Sequence, residues 1–131
     1  MEPKLVLPQI INILDESAVF LYLMGSFDTP RFNEESDIDL AIFYKQNVSL
    51  ETKYQLSRDL NFKFDIQIQL VELNDIDPIF AHQVLQTGRL LFCKDDTILV
   101  QWKIKYMSMY IDFKMDREII EKNLLHRKRY G

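Results

Sequence analysis

The sequence is poor in the residues that build covalent or metal-held frameworks. It holds one cysteine, Cys93, and two histidines, His82 and His126, in 131 residues. One cysteine excludes an internal disulfide, and this set is too small for a structural zinc site, which usually takes four Cys or His ligands. With 47% hydrophobic residues, the chain has enough apolar side chains for a core of its own.

Long apolar segments and an excess of basic residues are also missing. The longest purely apolar run, residues 18–24, has seven residues, whereas a helix needs about 20 to span a bilayer. The first residues show no secretory signal. Sixteen Lys and Arg against twenty Asp and Glu argue against binding to phosphate backbones through charge alone. We therefore expect a cytoplasmic protein with no membrane attachment and no strong direct binding to nucleic acid.

The remaining pattern alternates between helix and strand signals, and only three glycines and four prolines interrupt it. Apolar residues at helical spacing predict helices, compact β-branched and aromatic runs predict buried strands, and strict alternation predicts a half-buried strand. On these grounds we predict a helix over residues 4–16, strands over 19–23 and 38–44, a helix that Ser49 caps and that ends near residue 60, and a strand over 65–72.

The C-terminal part begins with a helix start and ends in a long helix. Asp77 and Pro78 form a cap followed by proline at the first helical position, Gly88 supplies the stop, and residues 89–93 suit a short edge strand. From Asp96 onward the apolar positions step by three, four or seven, so one long helix is predicted, either continuous or broken near residue 115. The order predicts an α+β fold: a small mixed sheet flanked by helices. We expect one domain over residues 1–131, with a core over about 1–94 and a helical extension over about 95–131.

An acidic cluster stands out between residues 28 and 39, where five acidic residues accompany one arginine. Asp37 and Asp39 are the informative pair, because residues two apart at the start of a strand point to the same face. At about 4 Å and an effective dielectric near 20, their repulsion is of order 4 kcal/mol. A divalent cation relieves it, since carboxylate oxygens are the ligands that Mg²⁺ takes.

Two further features lie at predicted strand ends. Asp65 alternates with the apolar Ile66 and Ile68, so it projects from the polar face of its strand. If that strand neighbours the one with Asp37 and Asp39, three carboxylates converge, which is the protein half of a two-metal site. Gly25-Ser26 follows the first strand, where close backbone approach, N–H groups and one hydroxyl suit a triphosphate.

The motif set resembles the nucleotidyltransferase signature of the DNA polymerase β superfamily. The resemblance lies in Gly25-Ser26, then ten residues, then Asp37-Ile38-Asp39 leading into a buried strand. Small size and a strand-borne third aspartate are similar to its minimal nucleotidyltransferase (MNT) branch, over roughly residues 5–94. Where that family usually has Ala-Arg-Gly, this chain has Asp28-Thr29-Pro30.

The resemblance implies a polymerase β-like nucleotidyltransferase fold and a set of roles. Asp37, Asp39 and Asp65 would be the catalytic carboxylates and the metal ligands, and Asp65, the third of them, would help to activate the incoming hydroxyl. Gly25 and Ser26 would bind nucleotide. Mg²⁺, as two ions, and ATP are the implied cofactor and substrate. The implied activity is transfer of AMP from ATP to a tyrosine of a HEPN-domain ribonuclease toxin, which makes the protein its antitoxin.

Two alternatives stay open at this point. A binding-only antitoxin would keep the fold without useful turnover, as the Asp28-Thr29-Pro30 departure suggests. A small-molecule nucleotidyltransferase of the aminoglycoside type would need no protein partner. The C-terminal aromatic residues Trp102, Tyr106, Tyr110 and Phe113 either pack on the sheet or continue into a protruding end that docks a partner.

Overall fold

The computed structural model describes residues 3–25 and 38–130, with side-chain surroundings for residues 6–25 and 38–125. The described elements confirm the predicted α+β class and the long C-terminal helix. In chain order they are α1 (Pro3–Leu14), β1 (Ala18–Met24), β2 (Ile38–Tyr44), α2 (Leu50–Lys63), β3 (Ile68–Glu72), α3 (Pro78–Thr87), β4 (Arg89–Cys93) and α4 (Asp96–Tyr130).

The four strands form one mixed sheet in the order β3-β2-β1-β4. The central strand β1 is antiparallel to both β2 and β4, whereas β2 and β3 are parallel. The end of β1 and the starts of the other three strands therefore lie along the same side of the sheet. We call this side the site edge.

The two faces of the sheet bury different sets of residues. Alternate residues of β2 (Ile38, Leu40 and Ile42) pack with Ile10 of α1 and Leu60 of α2 in one core cluster. The opposite face of the sheet packs against α3 and α4 in a second cluster, through Phe20, Tyr22, Met24, Ala41, Val84, Trp102 and Tyr106. Because side chains alternate along a strand, Asp39 belongs to the face that α3 and α4 cover.

The predicted helix caps are confirmed by their hydrogen bonds. The Ser49 hydroxyl accepts from the Thr52 N–H at 3.1 Å, and the Asp77 carboxylate accepts from the Ile79 N–H at 2.7 Å. Gly88 ends α3 by donating its N–H to the carbonyl of Val84 at 2.7 Å. A Cβ at Gly88 would lie 2.5 Å from that carbonyl oxygen and 3.0 Å from Sδ of Met24. Glycine thus lets the end of α3 sit directly on the end of β1.

The strand predicted over residues 65–72 is shorter in the structure, since β3 begins at Ile68 and residues 64–66 form bends. Phe64 and Ile66 are nonetheless buried, so the alternation of burial starts before the pairing does. The Asn61 side chain of α2 accepts from the Ile68 N–H and donates to the Ile68 carbonyl, both at 2.9 Å. This clamp marks where the chain leaving α2 turns into the sheet.

The final helix α4 is continuous over 35 residues, about 52 Å at 1.5 Å per residue, without the break considered near residue 115. Its first half is anchored: the Trp102 indole donates to the Leu73 carbonyl at 2.8 Å, and the Tyr106 hydroxyl accepts from the Ile76 N–H at 3.0 Å. The Tyr110 ring stacks on the His82 ring of α3, with the ring centroids 3.7 Å apart. Residues 111–125 are all exposed, so the second half projects beyond the α3 contact.

Within the described ranges no helix has the length and apolarity that crossing a membrane would take.

Candidate active site

The site edge brings Gly25 and Asp39 together. Gly25 directly follows β1, and Met24, the last residue of β1, is the register partner of Asp39. Gly25 has a φ of 79°, a left-handed conformation that glycine adopts at little cost. A Cβ built on Gly25 would lie 3.8 Å from Oδ2 of Asp39. The backbone therefore turns beside this carboxylate, as the predicted proximity of the two motifs requires.

Asp39 is held rigidly at the start of β2. The flanking residues Ile38 and Leu40 are completely buried on the opposite face, so the strand has little freedom to rotate. The Asp39 side chain is half-buried, and its Oδ1 exposes less than 1 Å² to solvent. A partly desolvated carboxylate at a sheet edge is a suitable donor for a cation brought in with a ligand.

The residue next to Asp39 on the neighbouring strand is Gln69. The parallel register pairs Asp39 with Gln69, and Ile38 with Ile68. Paired residues of adjacent strands lie about 5 Å apart and point to the same face. Gln69 is exposed, and β3 is an edge strand of the sheet. Sequence reasoning missed this residue, since only the strand register reveals it.

Asp65, the predicted third carboxylate, lies in the bends before β3 and is exposed. It precedes Gln69 by four residues, and the pairing of β3 with β2 begins only at Ile68. The register thus brings an amide, and not the Asp65 carboxylate, alongside Asp39. Asp65 lies three residues before the start of β3, a position that we call the rim of the site edge. Its catalytic role stays a prediction.

Ser26 and Asp37 lie outside the described residues, as does the Asp28-Thr29-Pro30 segment. Their predicted roles stay predictions. In the sequence, Ser26 follows Gly25 and Asp37 precedes Ile38. Gly25 and Ile38 are the described residues that border the site edge.

The donor chemistry of the site edge fits a hard cation. Among the side chains described, those of residues 6–25 and 38–125, no group of three or more His, Cys, Asp or Glu residues could hold a metal ion. Mg²⁺, however, is usually bound through one or two carboxylates with substrate phosphates and water. The Asp39 carboxylate and the Gln69 amide oxygen are oxygen ligands of this hard type. The second carboxylate predicted from the sequence, Asp37, lies outside the described residues.

Two other titratable side chains, Tyr22 and Cys93, belong to the core cluster on the face of the sheet that α3 and α4 cover. Burial raises the pKa of the Tyr22 hydroxyl, and the charge of Cys93 raises it further. Burial also raises the pKa of the Cys93 thiol. Both groups are therefore protonated at neutral pH, and neither is expected to act there as a base.

A family model matches most of this chain. The model described as polymerase beta, nucleotidyltransferase, matches residues 8–97. That range includes β1, β2, β3 and every predicted site residue, and it is more than half of the chain. The chain belongs to the polymerase beta nucleotidyltransferase family, as the sequence resemblance predicted.

Individual proteins and structures that resemble this chain identify a narrower group within the family. Protein adenylyltransferase MntA of Shewanella oneidensis is 26% identical over 102 residues, spanning 76% of this chain and 71% of that protein. A chain in the crystal structure of a toxin–antitoxin with AMP-PNP aligns with a TM-score of 0.72 at 23% identity, over 90% of this chain and 97% of that chain. A chain in the complex of tri-AMPylated Shewanella oneidensis HEPN toxin with MNT antitoxin aligns with a TM-score of 0.71 at 23% identity, over 95% and 99%. These structures confirm the polymerase β-like nucleotidyltransferase fold.

Proposed function

We propose that this protein transfers AMP from ATP to a tyrosine of a HEPN-domain toxin and thereby neutralises it in the cytoplasm, where ATP is available. The single observation that carries the proposal is the Gly25–Asp39 junction at the site edge, in a chain of the nucleotidyltransferase family. The relative named protein adenylyltransferase and the fold neighbour that contains a tri-AMPylated HEPN toxin support the same acceptor class.

The chemistry is an in-line displacement at the α-phosphorus of ATP. A bond forms between the acceptor oxygen and the α-phosphorus, and the bond to the bridging oxygen breaks, so that pyrophosphate leaves with the electron pair. Such a transfer depends on positioning and on charge stabilisation, with no covalent enzyme intermediate. When bound, Mg²⁺ would neutralise charge on the phosphates.

Each site residue of this chain has a proposed role that follows from its location. Asp37 and Asp39 would hold the metal, and the backbone at Gly25 and Ser26 would cradle the phosphates. Asp65, at the rim before β3, is the third acid of the proposal and would approach the incoming hydroxyl from the outside. The acceptor protein would supply the outer wall of the site, since β3 is an edge strand.

The test of this function uses the protein, Mg²⁺, ATP labelled on the α-phosphate, and the product of the neighbouring reading frame. We expect label on a tyrosine of that partner and loss of its ribonuclease activity. Label on a low-mass acceptor in the absence of protein would instead favour a small-molecule nucleotidyltransferase. A folded enzyme that labels neither would contradict nucleotidyl transfer.

A binding-only antitoxin is the second candidate, because an amide and not a carboxylate is the register neighbour of Asp39. This alternative predicts neutralisation of the toxin without any transfer of label. It also predicts that ATP and Mg²⁺ are dispensable for neutralisation. Omitting each from the same assay separates the two candidates.

The projecting half of α4 is the proposed docking surface for the toxin. Phe113 and Ile120 follow the buried Tyr106 at seven-residue intervals, so they continue the same helix face beyond the domain. Ile120 and Leu124 are 58% and 53% exposed. Contiguous apolar surface of this kind commonly marks an interaction site.

Replacing Ile120 and Leu124 together by Glu is expected to weaken toxin binding at least about tenfold, because two apolar contacts are lost and two charges enter the interface. The free energy of unfolding is expected to stay within about 0.5 kcal/mol, since both side chains are exposed and Glu is a good helix former. Titration calorimetry and urea unfolding measure the two quantities. Lys122→Glu, on the opposite face of the same helical turns, is the control; equal weakening by both variants would show that charge alone, and not this face, is responsible.

A further inference from the structure

Gln69 of β3 lies in the row of residues that runs along the site edge. Across three adjacent strands, Met24, Asp39 and Gln69 share one register row. Asp39 and Gln69 lie on the face that α3 and α4 cover, because their neighbours Ile38, Leu40 and Ile68 belong to the opposite core cluster. Gln69 is therefore the β3 side chain nearest in register to the proposed metal ligand.

We propose that Gln69 is a positioning residue of the transfer site, and that it occupies the place where a further carboxylate would otherwise complete the metal centre. This inference rests on the proposed nucleotidyl transfer. The exposure of Gln69 on an edge strand places it between Asp39 and the side from which a protein acceptor would approach.

An amide at this position has different capabilities from a carboxylate. The Gln69 side chain can donate from Nε2 and accept at Oε1, so it can orient a phosphate oxygen or the incoming hydroxyl. It carries no charge and takes up no proton near neutral pH. The proton of the acceptor hydroxyl must then leave to water or to Asp65, the third acid of the proposed function. The site also holds one negative charge fewer than it would with a carboxylate at this position.

The exposed position of Gln69 makes it accessible to substitution. Its backbone is held by pairing with β2, while the residues that anchor β3 in the core are Ile68 and the partly buried Leu70. Substitutions at Gln69 are therefore expected to leave the fold intact. Their effects can be assigned to the site once an unchanged melting temperature is shown.

The experiment titrates the metal-free protein with Mn²⁺ alone and follows binding by electron paramagnetic resonance. Gln69→Asp is expected to lower the Kd for Mn²⁺ about tenfold, since it adds a carboxylate beside Asp39. Gln101→Asp on the exposed surface of α4 adds the same charge elsewhere and is expected to change the Kd less than twofold. Equal shifts in the two variants would overturn the inference.

Further variants distinguish Gln69 from Asp65 as the residue that lies next to the metal. Gln69→Ala is expected to lower kcat for AMP transfer about tenfold with little change in the KM for ATP, and Gln69→Asn to restore part of it. Asp65→Asn is expected to leave the Kd for Mn²⁺ within twofold. If Asp65→Asn weakens Mn²⁺ binding and Gln69→Asp does not strengthen it, Asp65 and not Gln69 neighbours the metal.

The metal titration is independent of the acceptor protein. If no partner becomes labelled but Gln69→Asp still tightens Mn²⁺ binding, protein adenylylation fails while the position of Gln69 stands. If transfer is observed but neither the Mn²⁺ Kd nor kcat responds to Gln69, only the inference about Gln69 fails.

Discussion

The double variant Asp37→Asn, Asp39→Asn is expected to transfer AMP at least about 10³-fold more slowly than the native protein. Removal of one electrostatic contact to a transition state typically costs 10²–10³ in rate, and here both proposed metal carboxylates become neutral amides. Asp39 turns toward the backbone at Gly25, so the loss falls where the phosphates would lie. Single-turnover transfer of labelled AMP to the partner measures the effect.

The same variant is expected to be at least as stable as the native protein. Asparagine is nearly isosteric with aspartate, and the repulsion between two nearby carboxylates is removed. Glu51→Gln with Asp75→Asn, at two exposed residues that follow the ends of β2 and β3, opposite the site edge, is the control with the same change of charge. Transfer within a few-fold of native would show that the metal is held elsewhere. Full toxin neutralisation without transfer would establish the binding-only antitoxin.

Replacing Trp102 by Ala is expected to lower the free energy of unfolding by about 3–5 kcal/mol, the range typical of large aromatic deletions in a core. Trp102 is 4% exposed and lies against the rings of Phe20 and Tyr106, with centroids 5.5 and 5.2 Å away. Its indole N–H also satisfies the Leu73 carbonyl at 2.8 Å. The substitution thus creates a cavity and removes a buried hydrogen bond.

Urea unfolding followed by circular dichroism measures this loss. Trp102→Phe is expected to keep much of the packing but to cost about 1–3 kcal/mol, because the Leu73 carbonyl loses its donor. Val100→Ala, at a side chain that is 51% exposed on the same helix, is expected to cost less than about 1 kcal/mol. A loss below 1 kcal/mol for Trp102→Ala would mean that α4 is not anchored through this residue.

The two predictions concern the site edge and α4, and the sequence alone predicted different amounts of each. The packing of α4 follows from a long stripe of apolar residues, and its inner half was predicted on that basis. The stripe did not reveal where packing ends. Only the contact of Tyr110 with His82, and the exposure of every residue from 111 to 125, show that the outer half projects.

Local signals were sufficient where a single segment contains the whole interaction. Ser49, Asp77 and Gly88 cap their helices through bonds that span no more than four residues. The strand over residues 38–44 matches β2 at both ends, because a compact run of buried residues is bounded by polar ones. The Asp37–Asp39 spacing predicted a metal site at the start of that strand, and this site stays a prediction.

By itself, then, the sequence determined the fold class, the family and the strand ends at which chemistry is expected, because these depend on short-range patterns of burial, capping and charge. The tertiary structure alone decided which β3 residue accompanies Asp39. Alternation specifies the face of a side chain but not its register against another strand. In the structure, Asn61 bonds to Ile68 at the start of β3, and the residue that follows Ile68, Gln69, is the register partner of Asp39 in place of Asp65.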